Sequence, residues 1–326
     1  MSKFKYCYLH KFFFVILNPS THQPINPSTH QPINEEPMKL LKSCLSFIIT
    51  MFACNISAQN NQEVVIETQQ LSSNVFMLTG QGGNIGVCIG DEGVFMIDGQ
   101  FARLTPNILE AIKKLSDKPI QFLINTHFHG DHVGSNENLS KLGVKIIAHD
   151  NVYKRLSSSI PESPKEALPM ISFNDKLQLH INGENVIVFH VEKAHTDGDV
   201  LLYFTESNVL HTSDTFFNER YPYIDLDSGG SVNGYINAVK KTMILIDDDT
   251  KIIPGHGELG NKKQYQFFLS MLEDLKSKIQ TEIDKGQTEE DVAANTNLTK
   301  TYDDLGFSWA FINSERIRRT FYKSLK

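Results

Sequence analysis

Thr126-His127-Phe128-His129-Gly130-Asp131-His132 gathers three imidazoles and a carboxylate into one short run. It follows directly on Ile120 to Ile124, an apolar stretch whose length and composition predict a buried strand. A polar segment at a strand end is where folds commonly carry chemistry. In extended backbone, residues two apart project to the same side, so His127 and His129 can reach one metal ion. Gly130 lets the chain bend, after which Asp131 and His132 turn toward a neighbouring position. Nitrogen and oxygen donors without thiolate suit Zn²⁺, with Mn²⁺ or Fe²⁺ as alternatives.

Upstream, short runs rich in Val and Ile alternate with turn signals: Val64-Val65-Ile66, 75–78, 85–89 and 94–97. Asp91-Glu92-Gly93 predicts a hairpin turn between the last two. A helix is predicted over 104–116, with Leu104, Ile108, Ala111, Ile112 and Leu115 on one face. Downstream, a helix over 135–142 precedes a strand from Lys145 to Ala148. The second half repeats the plan, with strands at 176–181, 185–191, 200–205 and 208–211, a helix at 230–246 and a strand at 251–253. A long helix covers 261–284, and the tail, 287–325, reads as helical with a loop near 297–307. Two strand-rich halves with interspersed helices predict two sheets packed face to face and covered by helices.

Four further segments each follow a predicted strand: Ile97-Asp98-Gly99, Ala194-His195-Thr196-Asp197-Gly198-Asp199, His211-Thr212-Ser213-Asp214-Thr215 and Pro254-Gly255-His256-Gly257. Together with the His-x-His-x-Asp-His run, and in this order, they resemble the metallo-β-lactamase superfamily over about 64–260. The resemblance implies an α+β fold, the four-layer αββα sandwich of that family. It also implies two zinc sites: His127, His129 and His195 hold the first, Asp131, His132 and His256 hold the second, and Asp214 bridges them. Asp98 is expected behind the ligands rather than among them. His149, His180, His190 and His211 are expected to be ordinary core or surface residues.

Two close cations acidify a water to near neutral pH, which makes it the nucleophile of a hydrolase acting on an amide or ester-type bond, β-lactamase-like. Asp131 is the expected catalytic carboxylate, orienting that nucleophile and shuttling a proton. No serine nucleophile elbow occurs in the chain. The β-lactamase branch usually carries Cys or Ser where this chain has Asp214, whereas glyoxalase II-like thioesterases carry a bridging Asp, so lactone, thioester and phosphodiester hydrolysis stand as alternatives. An iron-dependent redox member and a non-catalytic binding protein are the other classes considered. Asn84, within a glycine-rich segment read as a flap, and Arg220, Tyr221 and Tyr223 are candidate pocket residues for a small-molecule substrate. Phe307, Trp309 and Phe311 are expected to cap the pocket or form a dimer contact; the sequence leaves oligomeric state open.

The N-terminus reads differently from the rest. Residues 38–58 have the form of a signal peptide: Lys39 and Lys42, an apolar core from Leu45 to Ala53, and a small-residue exit at Ala58. The apolar core is too short to span a bilayer, so no stable membrane span is expected after removal. Export to the periplasm or outside the cell follows, with lipid anchoring at Cys54 the lesser alternative. Residues 1–37 contain the octapeptide Asn18–Ile25 repeated without change as Asn26–Ile33. So polar and proline-rich a tract builds no core. It is read as an extension, disordered or produced by a misplaced start codon with Met38 as the true start; the alternative is an anchor in which Phe12 to Leu17 helps hold the protein at a membrane. Residues 59–285 are then the catalytic domain and 286–326 a helical extension packed on it. Removing residues 1–58 from the 326 leaves 268. Five lysines and two glutamates go with them, taking the formal charge from −7 to −10, and Cys88 is the one cysteine left. The acidic balance argues against nucleic-acid binding, and a lone cysteine excludes an internal disulfide.

Overall fold

In the strand Gly93–Ile97, Val94 and Met96 pack on one side while Phe95 and Ile97 pack on the other. This is the period-two alternation of a pleated strand, here with both faces apolar. The protein, a computed structural model, describes residues 64–159 and 164–326. The readings of 1–37 and 38–58 therefore lie outside the described residues.

One sheet runs in sequence order: β1 (Glu67–Gln70), β2 (Val75–Thr79), β3 (Ile85–Gly90), β4 (Gly93–Ile97), β5 (Ile120–Asn125), β6 (Lys145–His149) and β7 (Ile171–Phe173). Its first three pairings are antiparallel and its last three parallel. The other sheet has the order β13-β12-β11-β10-β9-β8, from β8 (Lys176–Ile181), β9 (Glu184–His190), β10 (Val200–Phe204), β11 (Val209–Phe217), β12 (Lys251–His256) and β13 (Gly260–Asn261). Here β11 and β12 are parallel and the other pairs antiparallel. Parallel neighbours need helical crossovers. These are α1 (Thr105–Leu115) before β5, the short α2 (Gly130–Val133) and α3 (Asn136–Lys141) before β6, α4 (Asp150–Ser158) before β7, and α5 (Val232–Met243) before β12.

The core between the sheets unites Phe95, Ile97 and Ile124 of the first with Val188, Leu202, Phe204 and Ile253 of the second. On the outer side of the first sheet, Val94 and Met96 meet Ile108 and Ile112 of α1. On the outer side of the second, Leu201, Leu210 and Phe216 meet α5 and the helices α6 (Lys262–Asp284) and α9 (Ser314–Leu325). Between those two helices lie α7 (Glu289–Ala294) and α8 (Lys300–Asp303). The result is an α+β, four-layer αββα sandwich. No helix among the described residues is long and apolar enough to cross a membrane.

Three local readings change. The first strand is Glu67–Gln70, not Val64-Val65-Ile66: its exposed polar residues pair with β2 as an edge, while Val64 and Ile66 tuck against the α1 core. The loop of the tail falls at 304–313 rather than 297–307, because Lys300–Asp303 closes a helical turn. The strand expected at 208–211 continues to Phe217, carried past a register shift at Ser213 (φ 46°).

Candidate metal centre

Extended backbone ends at His129, and the chain then makes the helical turn Gly130–Val133. That turn swings Asp131 and His132 away from His127 and His129. His127 Nε2 lies 3.1 Å from His129 Nδ1, and His195 Nε2 lies 2.9 Å from the same nitrogen. His195 comes from the β9–β10 connection and Asp214 from β11. The donor atoms of His127, His129, His195 and Asp214 lie within 4.8 Å of one another, as do those of Asp131, His132 and His256. Asp214 stands between the two groups: Oδ2 is 3.5 Å from both His195 Nε2 and His256 Nε2, and Oδ1 is 3.2 Å from His132 Nε2. All seven expected ligands thus converge.

Each of four rings is aimed by a contact on its far nitrogen, which fixes which nitrogen faces the cluster. His132 Nδ1 meets Asp98 Oδ2 at 2.8 Å, His195 Nδ1 meets the Tyr223 carbonyl at 2.8 Å, and His127 Nδ1 meets Thr126 Oγ1 at 3.1 Å. His129 Nε2 meets Asp225 Oδ2 at 2.9 Å. Asp98 sits behind the cluster, on the far nitrogen of His132. It holds a left-handed φ of 59° at the end of β4 and accepts from the Thr126 N–H and hydroxyl at 2.8 and 2.7 Å. Tyr235 of α5 donates to the Asp214 carbonyl at 2.6 Å. Gly83 closes one side, since a Cβ there would overlap the His132 imidazole.

The electrostatics are those of a cation site. Burial pushes His132 toward its neutral form, but Asp214, Asp131 and Asp98 hold its pKa well above the usual histidine value. Burial likewise lowers His256, and Asp214 and Asp131 raise it to about 9. Burial and the neighbouring rings push His127 well down. Burial takes His195 to about 4 against the pull of Asp214. Burial would raise Asp214, yet His256, His132 and His195 keep it well below the carboxylate range. His132 Nε2 and Asp214 Oδ1 are buried with no hydrogen-bond partner. Unpartnered buried donors facing one another in a His/Asp cluster fit a divalent cation.

The pocket above the cluster holds about 420 Å³. Besides His129, Asp131, Asp214 and His256, its walls are aromatic rings: Phe101, Phe217, Tyr223, Trp309 and Phe311. Of the four expected pocket residues, Tyr223 lines it. Asn84 does not: it is buried, and its amide donates to the Pro254 and Gly257 carbonyls at 2.9 Å, pinning the loop that carries His256. Tyr221 does not either; it is fully buried and donates to Asp303 at 2.7 Å. Arg220 is exposed, with its guanidinium over the Trp309 ring at 5.6 Å. Asp225 and Phe101 escaped the sequence reading. Asp225 lies 96 residues from His129 and no spacing connects them. Of the remaining histidines, His149 and His190 stack at 3.9 Å away from the pocket.

Residues 78–256 match the family profile described as the metallo-beta-lactamase superfamily. A curated relative from Bacillus cereus named metallo-beta-lactamase type 2 is 21% identical over 240 residues, covering 67% of this chain and 92% of its own. One from Pelagibacter ubique named hydroxyacylglutathione hydrolase is 32% identical over 148 residues, covering 44% of this chain and 56% of its own. Among solved structures, a metallo-beta-lactamase from Pontibacter korlensis superposes with a TM-score of 0.58 at 18% identity, covering 64% of this chain and 99% of that one. A sec-alkylsulfatase from a Pseudomonas species gives 0.63 at 16% identity, covering 79% and 50%. At these identities the structural likeness speaks to the fold alone.

Proposed function

The chain belongs to the metallo-β-lactamase superfamily, and from that premise we propose that it is an exported dinuclear zinc hydrolase of amide or ester-type bonds. The observation that carries this reading is Asp214 held between two donor groups, with its Oδ1 and His132 Nε2 left unpartnered. His127, His129 and His195 would hold one cation, Asp131, His132 and His256 the other, and Asp214 would touch both. Divalent cations there supply Lewis acidity to a substrate oxygen and lower the pKa of water to about 7.

The chain's own residues do the rest. Asp131 faces the pocket with Oδ2 3.4 Å from His256 Nε2. There its carboxylate can orient a water and take its proton. Asp98 and Asp225 keep the His132 and His129 rings from rotating as charge develops. The aromatic walls exclude bulk water from the reacting centre.

The test has two arms. Metal analysis of the purified protein should give close to two zinc ions per chain; a single iron would overturn the reading. The zinc-loaded protein is then offered a chromogenic β-lactam, a lactone, an acyl thioester and a bis-aryl phosphodiester. Cleavage of at least one is expected, and silence across all four would favour a binding protein. The name of the Pelagibacter relative and the aspartate at 214 favour the thioester as a second reading. Export rests on the leader form of residues 38–58 and is tested by N-terminal sequencing of protein made from the native gene: a start at Gln59 supports it, and a retained 18–33 peptide refutes it.

A further inference from the structure

The family profile ends at His256, yet the pocket is completed from beyond it, by Trp309 and Phe311 in the segment joining α8 to α9. These rings form an arc from one candidate ligand to another. His256 meets Trp309 at 6.3 Å, Trp309 meets Phe311 at 5.7 Å, Phe311 meets Tyr223 at 5.1 Å, and Tyr223 stacks on His129 at 5.7 Å. The arc is fixed in place. The Trp309 indole donates to the Tyr221 carbonyl at 2.9 Å, and Arg316 donates to the Phe311 carbonyl at 2.9 Å. Guanidinium groups lie against its rings, Arg220 at 5.6 Å from Trp309 and Arg316 at 4.4 Å from Phe311, and neither lines the pocket.

We propose that this C-terminal arc makes Trp309 and Phe311 specificity-determining residues for substrates carrying an aryl group beside the scissile bond. The proposal rests on the hydrolase reading for the word substrate. Apart from candidate metal ligands, every wall of the cavity is a ring, and about 420 Å³ accommodates a benzene ring with the reacting group attached. Of the arc's four ring contacts, the two made by Phe311 are tilted and edge-to-face, at 53° with Trp309 and 77° with Tyr223. An aryl group continues this tilted, edge-to-face series, in which positive ring edges meet negative faces. A saturated ring of the same size buries similar area without that complementarity.

Trp309 is the only tryptophan in the sequence, so intrinsic tryptophan fluorescence reports this pocket alone. The full chain loaded with zinc is titrated with phenylacetate and with cyclohexylacetate, which differ in aromaticity at matched size. Phenylacetate is expected to quench with an affinity about tenfold higher. Phe311→Leu should reduce that preference to about twofold, and Phe311→Tyr should keep it; Phe311 is 47% exposed, so neither change strains the fold. Equal affinities, no binding of either acid, or a preference unchanged in Phe311→Leu would overturn the proposal. Because binding is read without turnover, a silent hydrolysis panel beside an intact aryl preference condemns the hydrolase reading alone. Turnover beside equal affinities condemns the aryl pocket alone.

Discussion

At His132 the imidazole lies between two carboxylates: Nδ1 is hydrogen-bonded to Asp98, while Nε2 faces Asp214 Oδ1 at 3.2 Å without a hydrogen bond. Those acids, with Asp131, hold a proton on the ring that burial would otherwise expel, and His256 is raised to about 9 in the same way. Both rings are therefore protonated at pH 7 in the cation-free protein, and a ring must be neutral to ligate. The raised pKa values make protons competitors of the metal, so metal affinity falls as pH drops below about 9, the value for His256. Zinc added at pH 7 in weakly buffered solution should release at least one proton per chain, and less at pH 10; proton-neutral uptake at pH 7 would contradict this. Asp98→Asn keeps the side chain's shape but weakens its grip on His132. It should cost about 10–100-fold in metal affinity, read by competition with a chelating dye, with the circular dichroism spectrum retained. At this scale the residues that converge at the candidate metal centre were legible, because chemistry-bearing residues cluster in short motifs after strands. Asp225, Asn84 and Tyr221 were not. What each side chain touches is set by tertiary contacts, and a polar or aromatic residue near a motif can as well brace a loop as line a cavity.

The C-terminal helices hold the aromatic arc through one buried cation. Arg318 of α9 is 3% exposed and donates twice to the Ala293 carbonyl, at 3.0 and 2.7 Å, and once to Thr299 Oγ1 at 2.5 Å. It thereby ties the end of α7 and the start of α8 to the last helix, and Trp309 and Phe311 hang between them. Arg318→Ala leaves the Ala293 carbonyl buried without a partner and should cost about 2–3 kcal/mol of stability by denaturant unfolding. Hydrogen exchange should rise first in 295–313, ahead of the sheets; uniform exchange would show that Arg318 is not the tie. Most helices and strands were readable from periodicity, though nothing marked α4 or β7; α6 opens on an Asn261–Gln264 capping box, in which each side chain bonds the other's backbone. Two of the three boundaries that failed, those of β1 and β11, are set by pairing rather than composition. The exposed residues of β1 carry no apolar signal and become a strand only because β2 offers an edge.

At the scale of the molecule, the candidate ligands come from both halves. His127, His129, Asp131 and His132 follow β5 of the first sheet, whereas His195, Asp214 and His256 belong to connections and strands of the second. Cations bound to all of them would act as a staple between layers that otherwise meet through apolar packing and a few hydrogen bonds, among them Asn84 N–H to the Gly255 carbonyl and Val200 N–H to the Thr126 carbonyl. A ligand that binds the folded state alone stabilises it by about 2.7 kcal/mol at a hundredfold excess over its dissociation constant. For a chain of this size each kcal/mol moves the melting temperature by about 2–4 °C. Zinc at that excess should therefore raise it by about 5–10 °C over protein held in chelator. The staple makes a sharper demand than stabilisation itself. The double variant His195→Ala, His256→Ala keeps every ligand of the first sheet and removes two of the second's three. If bridging is what stabilises, this variant should lose most of the zinc-dependent rise while melting near the chelated parent. A full rise in the variant would mean that the His127–His132 segment binds zinc by itself and that the two sheets are joined by their packing without help from metal.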